Sequence, residues 1–343
     1  MRPIAVSNPP NPWQVSTVDY LGEPPAVGLT IYEDHTREIL SHNDSPDVGF
    51  SWSVNPYRGC FHACAYCYAR PSHEYLGFGA GTDFERKIVV KPHAGALLRD
   101  AFEKPSWKGE TVIFSGVTDC YQPVEASYGL TRACLEVCLE YRNPVGIITK
   151  SPLVERDIPL LVELASQARA RVAVSIPFWK EHHARAIEPF VATPQRRMRT
   201  VERLAKAGLR VTVMVAPIIP GLSDEDIPDI LKAAKDAGAE SAGRVVLRLP
   251  GHVKEVFSER LHQALPLRAE KVLARTREVR GGKLYDSSWG TRQTGEGTYA
   301  DAITQLFDAQ VDRLGLTYRE LDDDATTPFR RPTDRGGQMR LFG

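Results

Sequence analysis

The chain has 343 residues, with 43 Lys and Arg against 43 Asp and Glu, and 42% of its residues are hydrophobic. That length allows one or two domains with a large core, and the charge balance excludes an overall basic field for holding nucleic acid. Six cysteines are too few for a disulfide framework in so long a chain, and no apolar run approaches the ~18 residues of a membrane span. The first residues lack the charged-then-apolar layout of a secretion signal, so the expected compartment is the reducing cytoplasm. Residues 1–47 are rich in Pro, Asn and Asp and read as an irregular N-terminal arm. From residue 48 apolar runs alternate with helical patterns. Strands are expected at 48–54, 111–115, 145–149, 171–176, 209–215 and 244–249. Helices are expected at 94–102, 130–141, 160–168, 195–207 and 227–237, with Gly208 and Gly238 where helix ends call for glycine. Residues 87–91 form a further extended stretch. Cys134 and Cys138 lie four apart on one apolar helix face, as core residues do. The basic run Arg196-Arg197-Met198-Arg199 reads as a solvated helix face. Strands alternating with helices argue for a parallel sheet with helices outside it, here spanning 48–250. After Pro250 the alternation stops. Helices at 252–263, 269–280 and 299–314, with a Gly/Ser/Thr-rich loop at 281–298, form a C-terminal helical region, 251–318. Residues 319–343 are charged and rich in Pro and Gly, and are expected to be disordered.

The chemical signal is the run Asn55-Pro56-Tyr57-Arg58-Gly59-Cys60, continuing through Cys64 to Cys67 and Tyr68. The spacing is C-x3-C-x2-C. A 4Fe–4S cluster normally takes four thiolates; three would leave one iron open to bind a small molecule. The alternative is a zinc site with His62 or His73 as fourth ligand. Structural zinc prefers paired knuckles, and no second knuckle exists. Polar residues also gather where the predicted strands end, as ligand sites of parallel α/β folds require. The second strand runs into Ser115 to Pro123, the third into Thr149 to Pro152, the fourth into Ser175 to Pro177, the fifth into Ala216 to Gly221, and the sixth ends Arg248-Leu249-Pro250.

The cysteine spacing, with an aromatic just before the third cysteine, resembles the radical S-adenosylmethionine (SAM) superfamily. Residues 55–250 as a whole resemble its spore photoproduct lyase-like branch, often described as DNA-repair-photolyase-like. The motifs are N-P-Y-R-G-C from Asn55, T-D-C-Y-Q-P from Thr118, T-K-S-P from Thr149 and M-V-A-P-I-I-P-G from Met214. The resemblance implies an α/β fold, a partial (β/α)6 TIM-like barrel of parallel strands, whose open side the C-terminal helices would cap. It implies a 4Fe–4S cluster on Cys60, Cys64 and Cys67, with SAM on the open iron and cleaved there to a 5′-deoxyadenosyl radical. Thr118 and Asp119 would meet the methionyl ammonium, Lys150 the carboxylate, Ser175 the ribose, and Tyr66 and Ala216 the adenine. A reductant such as flavodoxin or ferredoxin is the implied partner, and nucleic acid a candidate substrate.

One departure limits the analogy. The lyase branch uses a cysteine near the end of the second strand as hydrogen-atom donor. Here no cysteine lies in 111–119, Gly116 occupies the turn, and Cys120 follows Asp119. Cys120, or Tyr66 and Tyr68 on either side of Cys67, are the candidates for that role. Rival readings are a non-catalytic cluster- or zinc-binding module associated with DNA, and radical modification of a peptide or RNA. The last residues, Gln338-Met339-Arg340-Leu341-Phe342-Gly343, resemble the Gln-Leu-x-Leu-Phe peptide by which bacterial repair proteins bind the DNA sliding clamp. Met339 departs from the pattern. Gln338, Leu341 and Phe342 would be the anchors, held as an extended peptide.

Overall fold

The computed structural model describes residues 28–318 and 326–332. The strands are β1 (Thr30–Glu33), β2 (Leu40–His42), β3 (Trp52–Val54), β4 (Tyr57–Arg58), β5 (Lys87–Val90), β6 (Val112–Phe114), β7 (Val145–Thr149), β8 (Ala170–Ser175), β9 (Arg210–Ile218), β10 (Ser241–Val246) and β11 (Thr317–Tyr318). The α-helices are α1 (Thr82–Arg86), α2 (Ala94–Glu103), α3 (Glu125–Tyr128), α4 (Leu130–Glu140), α5 (Ile158–Gln167), α6 (Glu181–Ile187), α7 (Pro194–Lys206), α8 (Ile227–Asp236), α9 (Val253–Ala264), α10 (Pro266–Glu278) and α11 (Thr298–Leu314).

Eight strands form the main sheet, in the order β11-β10-β9-β8-β7-β6-β3-β2. The six expected strands are β3 and β6 to β10, all parallel and side by side in chain order. Parallel strands need long crossovers, and α2, α4, α5, α7 and α8 supply them. β6, β7 and β8 are buried along nearly their whole length because helices cover one face and the barrel interior the other, whereas β10 is mostly half-buried. In β7, Val145, Gly146, Ile147 and Thr149 are all buried. Helix α7 starts with Pro194 at its first turn, and the Thr193 side chain accepts the Arg196 amide at 3.2 Å, a regular N-cap. Gly208 and Gly238 adopt the left-handed conformation just beyond α7 and α8.

Both ends of the barrel differ from the sequence expectation. The arm is not wholly irregular. Its β2 pairs antiparallel with β3 on the main sheet, and its β1 pairs with β5 in a small second sheet of order β1-β5-β4. The expected extended stretch 87–91 is therefore the centre of that second sheet. At the other edge, α11 packs on α8 and delivers β11 as a further parallel strand beside β10. Helix α11 belongs to the outer layer, whereas α9 and α10 pack together and share a hydrophobic cluster with Cys64, Ala65 and Tyr66 of the cysteine loop. No helix among the described residues is long and apolar enough to cross a membrane.

Part of the tail expected to be disordered is docked. In the segment 326–332, the Thr327 hydroxyl donates to the Gly109 carbonyl at 2.6 Å, and the Arg330 amide to the Tyr141 carbonyl at 2.9 Å. The Arg331 guanidinium donates to the carbonyls of Phe102, Lys104 and Trp107. Phe329 stacks on Tyr141 and meets the Phe102 ring edge-on. The loop it covers precedes β6, so this strap closes the N-terminal end of the sheet, opposite the strand ends that carry the motifs. Gln338, Leu341 and Phe342 lie outside the described residues. The strap generates one prediction. Phe329→Ala removes a half-buried ring and costs on the order of 2 kcal/mol of unfolding free energy, below the ~3–5 kcal/mol of a fully buried Phe. Urea unfolding checks it, and an unchanged midpoint would show that the strap does not dock in solution.

Candidate functional site

The three cysteines lie in one loop between β4 and a 3-10 turn at Arg70–Leu76. Cys60 and Cys64 are buried, Cys67 is half-buried, and none is in a disulfide. The loop is tight, with Ala63 bonded back to Cys60 and Cys67 back to Cys64. Its entry needs Gly59, which sits at φ +75°. A Cβ there would stand 2.8 Å from the His73 ring and 2.9 Å from the Phe84 carbonyl. The Phe84 carbonyl is spoken for, since it accepts the Cys60 amide at 2.9 Å.

Two sets of polar groups hold this loop. The first is Arg70, fully buried. Its guanidinium donates to the Cys64 carbonyl through two nitrogens (3.1 and 2.8 Å), to the carbonyls of Ala80 and Gly81 (2.8 and 3.1 Å), and to the Glu85 carboxylate at 2.6 Å. The second comes from the end of β6. The Thr118 hydroxyl donates to the Gly59 carbonyl at 2.6 Å, and the Gln122 amide donates to the same carbonyl at 2.9 Å. Gln122 also accepts the Phe61 amide at 3.0 Å.

Asp119 ties β6 to β7. It accepts from the Tyr121 amide at 2.9 Å, the Thr149 hydroxyl at 2.7 Å and the Lys150 amide at 2.7 Å. The His62 imidazole stands 3.4 Å from its Oδ2, the oxygen that also accepts the Lys150 amide. Burial alone would raise the Asp119 carboxyl, but His62, Lys150 and Thr149 outweigh it and hold it below the ordinary carboxylate range. The Lys150 ammonium reaches over the Tyr66 ring, 5.7 Å from its centroid. It also bears on Cys64 and Cys67. Burial raises both thiols, Cys67 to about 11 and Cys64 well above its usual value. At neutral pH such thiols keep their protons until a metal displaces them.

A third network closes the other side. The Tyr66 hydroxyl donates to the buried Glu188 carboxylate. Glu188 pairs with buried Arg197 at 2.6 Å, and Arg197 donates to the Ser175 carbonyl at 2.8 Å, at the end of β8. Arg197 therefore corrects the reading of its basic run as a solvated face, whereas Arg199 is exposed. Ser175 is buried at its strand end, and Ala216 lies half-buried in β9. Tyr68 is 53% exposed, and its hydroxyl donates to the Gly116 carbonyl at 2.7 Å. The structure does not bring Cys120 to this group. Its thiol is buried in the main core beside α4, apart from the clusters that contain Cys60, Cys64 and Cys67. Its carbonyl accepts the Thr131 hydroxyl at 2.6 Å. Glu188, Arg197, Arg70 and Gln122 were not picked out as site residues. Arg197 had a signal: it falls on the apolar stripe Pro194, Met198, Val201, Leu204.

Among the described residues no three His, Cys, Asp or Glu side chains stand close enough to hold a single metal ion. The His73 Nε2 is hydrogen-bonded to the Lys87 carbonyl at 2.8 Å. Three free cysteines on one pinned loop, with an ammonium facing two of them, fit a multi-iron cluster with thiolate ligands.

The sequence profile of the radical SAM superfamily matches residues 54–234. An uncharacterized protein of Mycobacterium tuberculosis is 36% identical over 271 residues, 78% of this chain and 78% of its own. A protein named radical SAM Nalpha-GlyT isomerase, from Pseudomonas phage M6, is 22% identical over 293 residues, 84% of this chain and 57% of that protein. Among solved structures, spore photoproduct lyase complexed with dinucleoside spore photoproduct superimposes with a TM-score of 0.62 at 15% identity, covering 88% of this chain and 87% of that one. That likeness is one of fold. The buried pair generates a prediction. Arg197→Ala strands the Glu188 carboxylate without a counter-charge and costs about 3–5 kcal/mol of stability, read by urea unfolding. A loss under about 1 kcal/mol would mean that the pair is not buried as described.

Proposed function

The chain belongs to the radical SAM superfamily, and from that premise we propose that it is an enzyme of radical chemistry that acts on nucleic acid. The observation that carries the reading is the loop at the end of the first parallel strand. Its three cysteines are free, pinned by backbone-directed bonds, and overlooked by the Lys150 ammonium. When bound, a 4Fe–4S cluster with SAM supplies one-electron cleavage of SAM to a 5′-deoxyadenosyl radical. Cys60, Cys64 and Cys67 would hold the cluster.

The rest is work for the chain's own side chains. The Lys150 ammonium, with no carboxylate partner among the described residues, suits the SAM carboxylate. Thr118 and Asp119 are already engaged, the first with Gly59 and the second with Thr149 and Lys150. We assign them positioning roles: Thr118 fixes the loop, and Asp119 fixes Lys150 against it. This replaces the direct ammonium contact expected of them. Tyr66, Ser175 and Ala216 line the neighbouring strand ends, where ribose and adenine would sit. The Glu188–Arg197 pair keeps Tyr66 and Ser175 at a set spacing. Tyr68, exposed beside Cys67 with its hydroxyl on the Gly116 carbonyl, remains the candidate for hydrogen-atom relay. Cys120 is not, given its place in the core.

Nucleic acid as substrate is supported by one likeness. The superimposed lyase is complexed with a dinucleoside spore photoproduct. Superfamily chemistry also calls for an external reductant, for which flavodoxin or ferredoxin are the candidates. The test is anaerobic reconstitution followed by dithionite and SAM. The wild type is expected to form 5′-deoxyadenosine, and Cys64→Ala to lose both the brown cluster and that product. Zinc without iron or acid-labile sulfide in anaerobically purified protein would sink the assignment. Deuterium transfer into 5′-deoxyadenosine from labelled oligonucleotides then tests the substrate class.

A further inference from the structure

One cation at the barrel mouth has no partner that the site already described explains. Arg248 follows the end of β10, on the rim where ligands enter parallel barrels. Its Nε is buried without a hydrogen-bond partner. Among the described residues no carboxylate pairs with it. Its charge bears on Tyr68, beside the third cluster cysteine, and on Asp47 and Arg280.

The neighbours explain why it stays unpaired. Arg280 is buried and its two terminal nitrogens are used: they donate to the carbonyls of Val246 (3.1 Å), Leu247 (2.7 Å) and Thr291 (2.9 Å), and its Nε has no partner. Asp47 is also used. It accepts the Gly290 amide at 2.9 Å and pairs with Arg292. Asp286 accepts from Ser288. These bonds fasten the loop 288–293 over the end of β10, where the Val246 amide donates to the Gln293 carbonyl at 2.8 Å. The loop thereby presents Trp289, 57% exposed, with the Arg292 guanidinium 4.8 Å from its ring centroid. The same rim carries Arg248, whose Nε has no partner, and two exposed rings, Tyr68 and Trp289.

A guanidinium matches phosphate by geometry and charge, and flat exposed rings stack on nucleobases. We propose that Arg248 anchors a phosphodiester of a single nucleic-acid strand at the barrel mouth, with Trp289 stacking on an adjacent base. This deepens the substrate class proposed above and rests on it. It also explains how a chain with no net charge can hold a polyanion, through one local cation and base stacking in place of a basic face.

The experiment uses the reconstituted full-length protein with SAM and a fluorescein-labelled single-stranded oligothymidylate of about 12 nucleotides, within the range of single-strand site sizes. Anisotropy titrations are run across a salt series. Arg248→Ala is expected to weaken binding roughly tenfold and to lower the salt slope by about 0.7, the value of one single-strand phosphate contact. A methylphosphonate oligomer should bind wild type and Arg248→Ala equally. Trp289→Ala is expected to weaken binding roughly tenfold with the slope unchanged, and to abolish the tryptophan quenching that binding produces. Iron and sulfide content certify that each variant is folded. An unchanged slope and affinity for Arg248→Ala overturns the proposal, as does undetectable oligonucleotide binding by wild type. So does weakened SAM affinity in Arg248→Ala without oligonucleotide, which would place the residue on SAM. Formation of 5′-deoxyadenosine, scored on the same wild-type preparation, tests the radical SAM reading separately.

Discussion

A buried guanidinium is the interaction on which the site depends. The cysteine loop carries three free cysteines and is neither helix nor strand, so its backbone bonds back on itself at only a few carbonyls. Buried carbonyls without donors are costly. Arg70 answers three of them at once, at Cys64, Ala80 and Gly81, and Glu85 balances its charge. Only arginine has enough donors in a fixed plane to do this. A lysine would meet one or two carbonyls and leave the rest unpaired. The Arg70 ring of contacts also joins the loop to the segment before α1, so the loop moves only if that segment moves.

The strand ends complete the frame, and they do so in chain order. From the end of β6, Thr118 and Gln122 hold Gly59 and Phe61, while Asp119 reaches across to Thr149 and Lys150 after β7. From the end of β8, the Ser175 carbonyl receives Arg197, which carries Glu188 and through it Tyr66. Most of these side chains touch the backbone or each other rather than an open space. They preorganise the few groups left over for ligands. A site held this way on rigid strands keeps its geometry better than one held on loops alone.

How much of this could be read beforehand follows from the physics of each part. Most of the six strands and their crossover helices were legible because they bury an apolar run or stripe, as β7 and α7 show. The cysteine loop was legible from spacing alone. The short strands β1 and β2 were not, because three or four residues at a sheet edge carry no periodicity that distinguishes them from coil. The docked strap at 326–332 was hidden by composition: Arg331 and Thr327 look like tail residues, yet both are spent on carbonyls of the 102–109 turn. Asp119 and Thr118 were correctly placed at the strand end, but sequence cannot say whether a polar side chain there faces a ligand or a neighbouring backbone. Glu188 and Arg197 were missed for a related reason. A buried ion pair is written with the same letters as a solvated one, and only the register of Arg197 on its helix marks it as facing inward.

The charges sort by this same rule into those that build the fold and those left to meet something else. The chain carries equal numbers of cations and anions, and three of its buried cations are committed: Arg70 to Glu85, Arg197 to Glu188, Arg280 to backbone carbonyls, whereas buried Arg260 has no hydrogen-bond partner at its Nε. Two cations at the strand ends are not committed to a carboxylate, Lys150 beside the cysteines and Arg248 on the rim. Holding a cation unpaired and partly desolvated is unfavourable unless an anion arrives. Lys150 follows β7 and Arg248 follows β10, both at the C-terminal ends of parallel strands. The strap packs on the far end of the sheet, away from the strand ends that hold both cations.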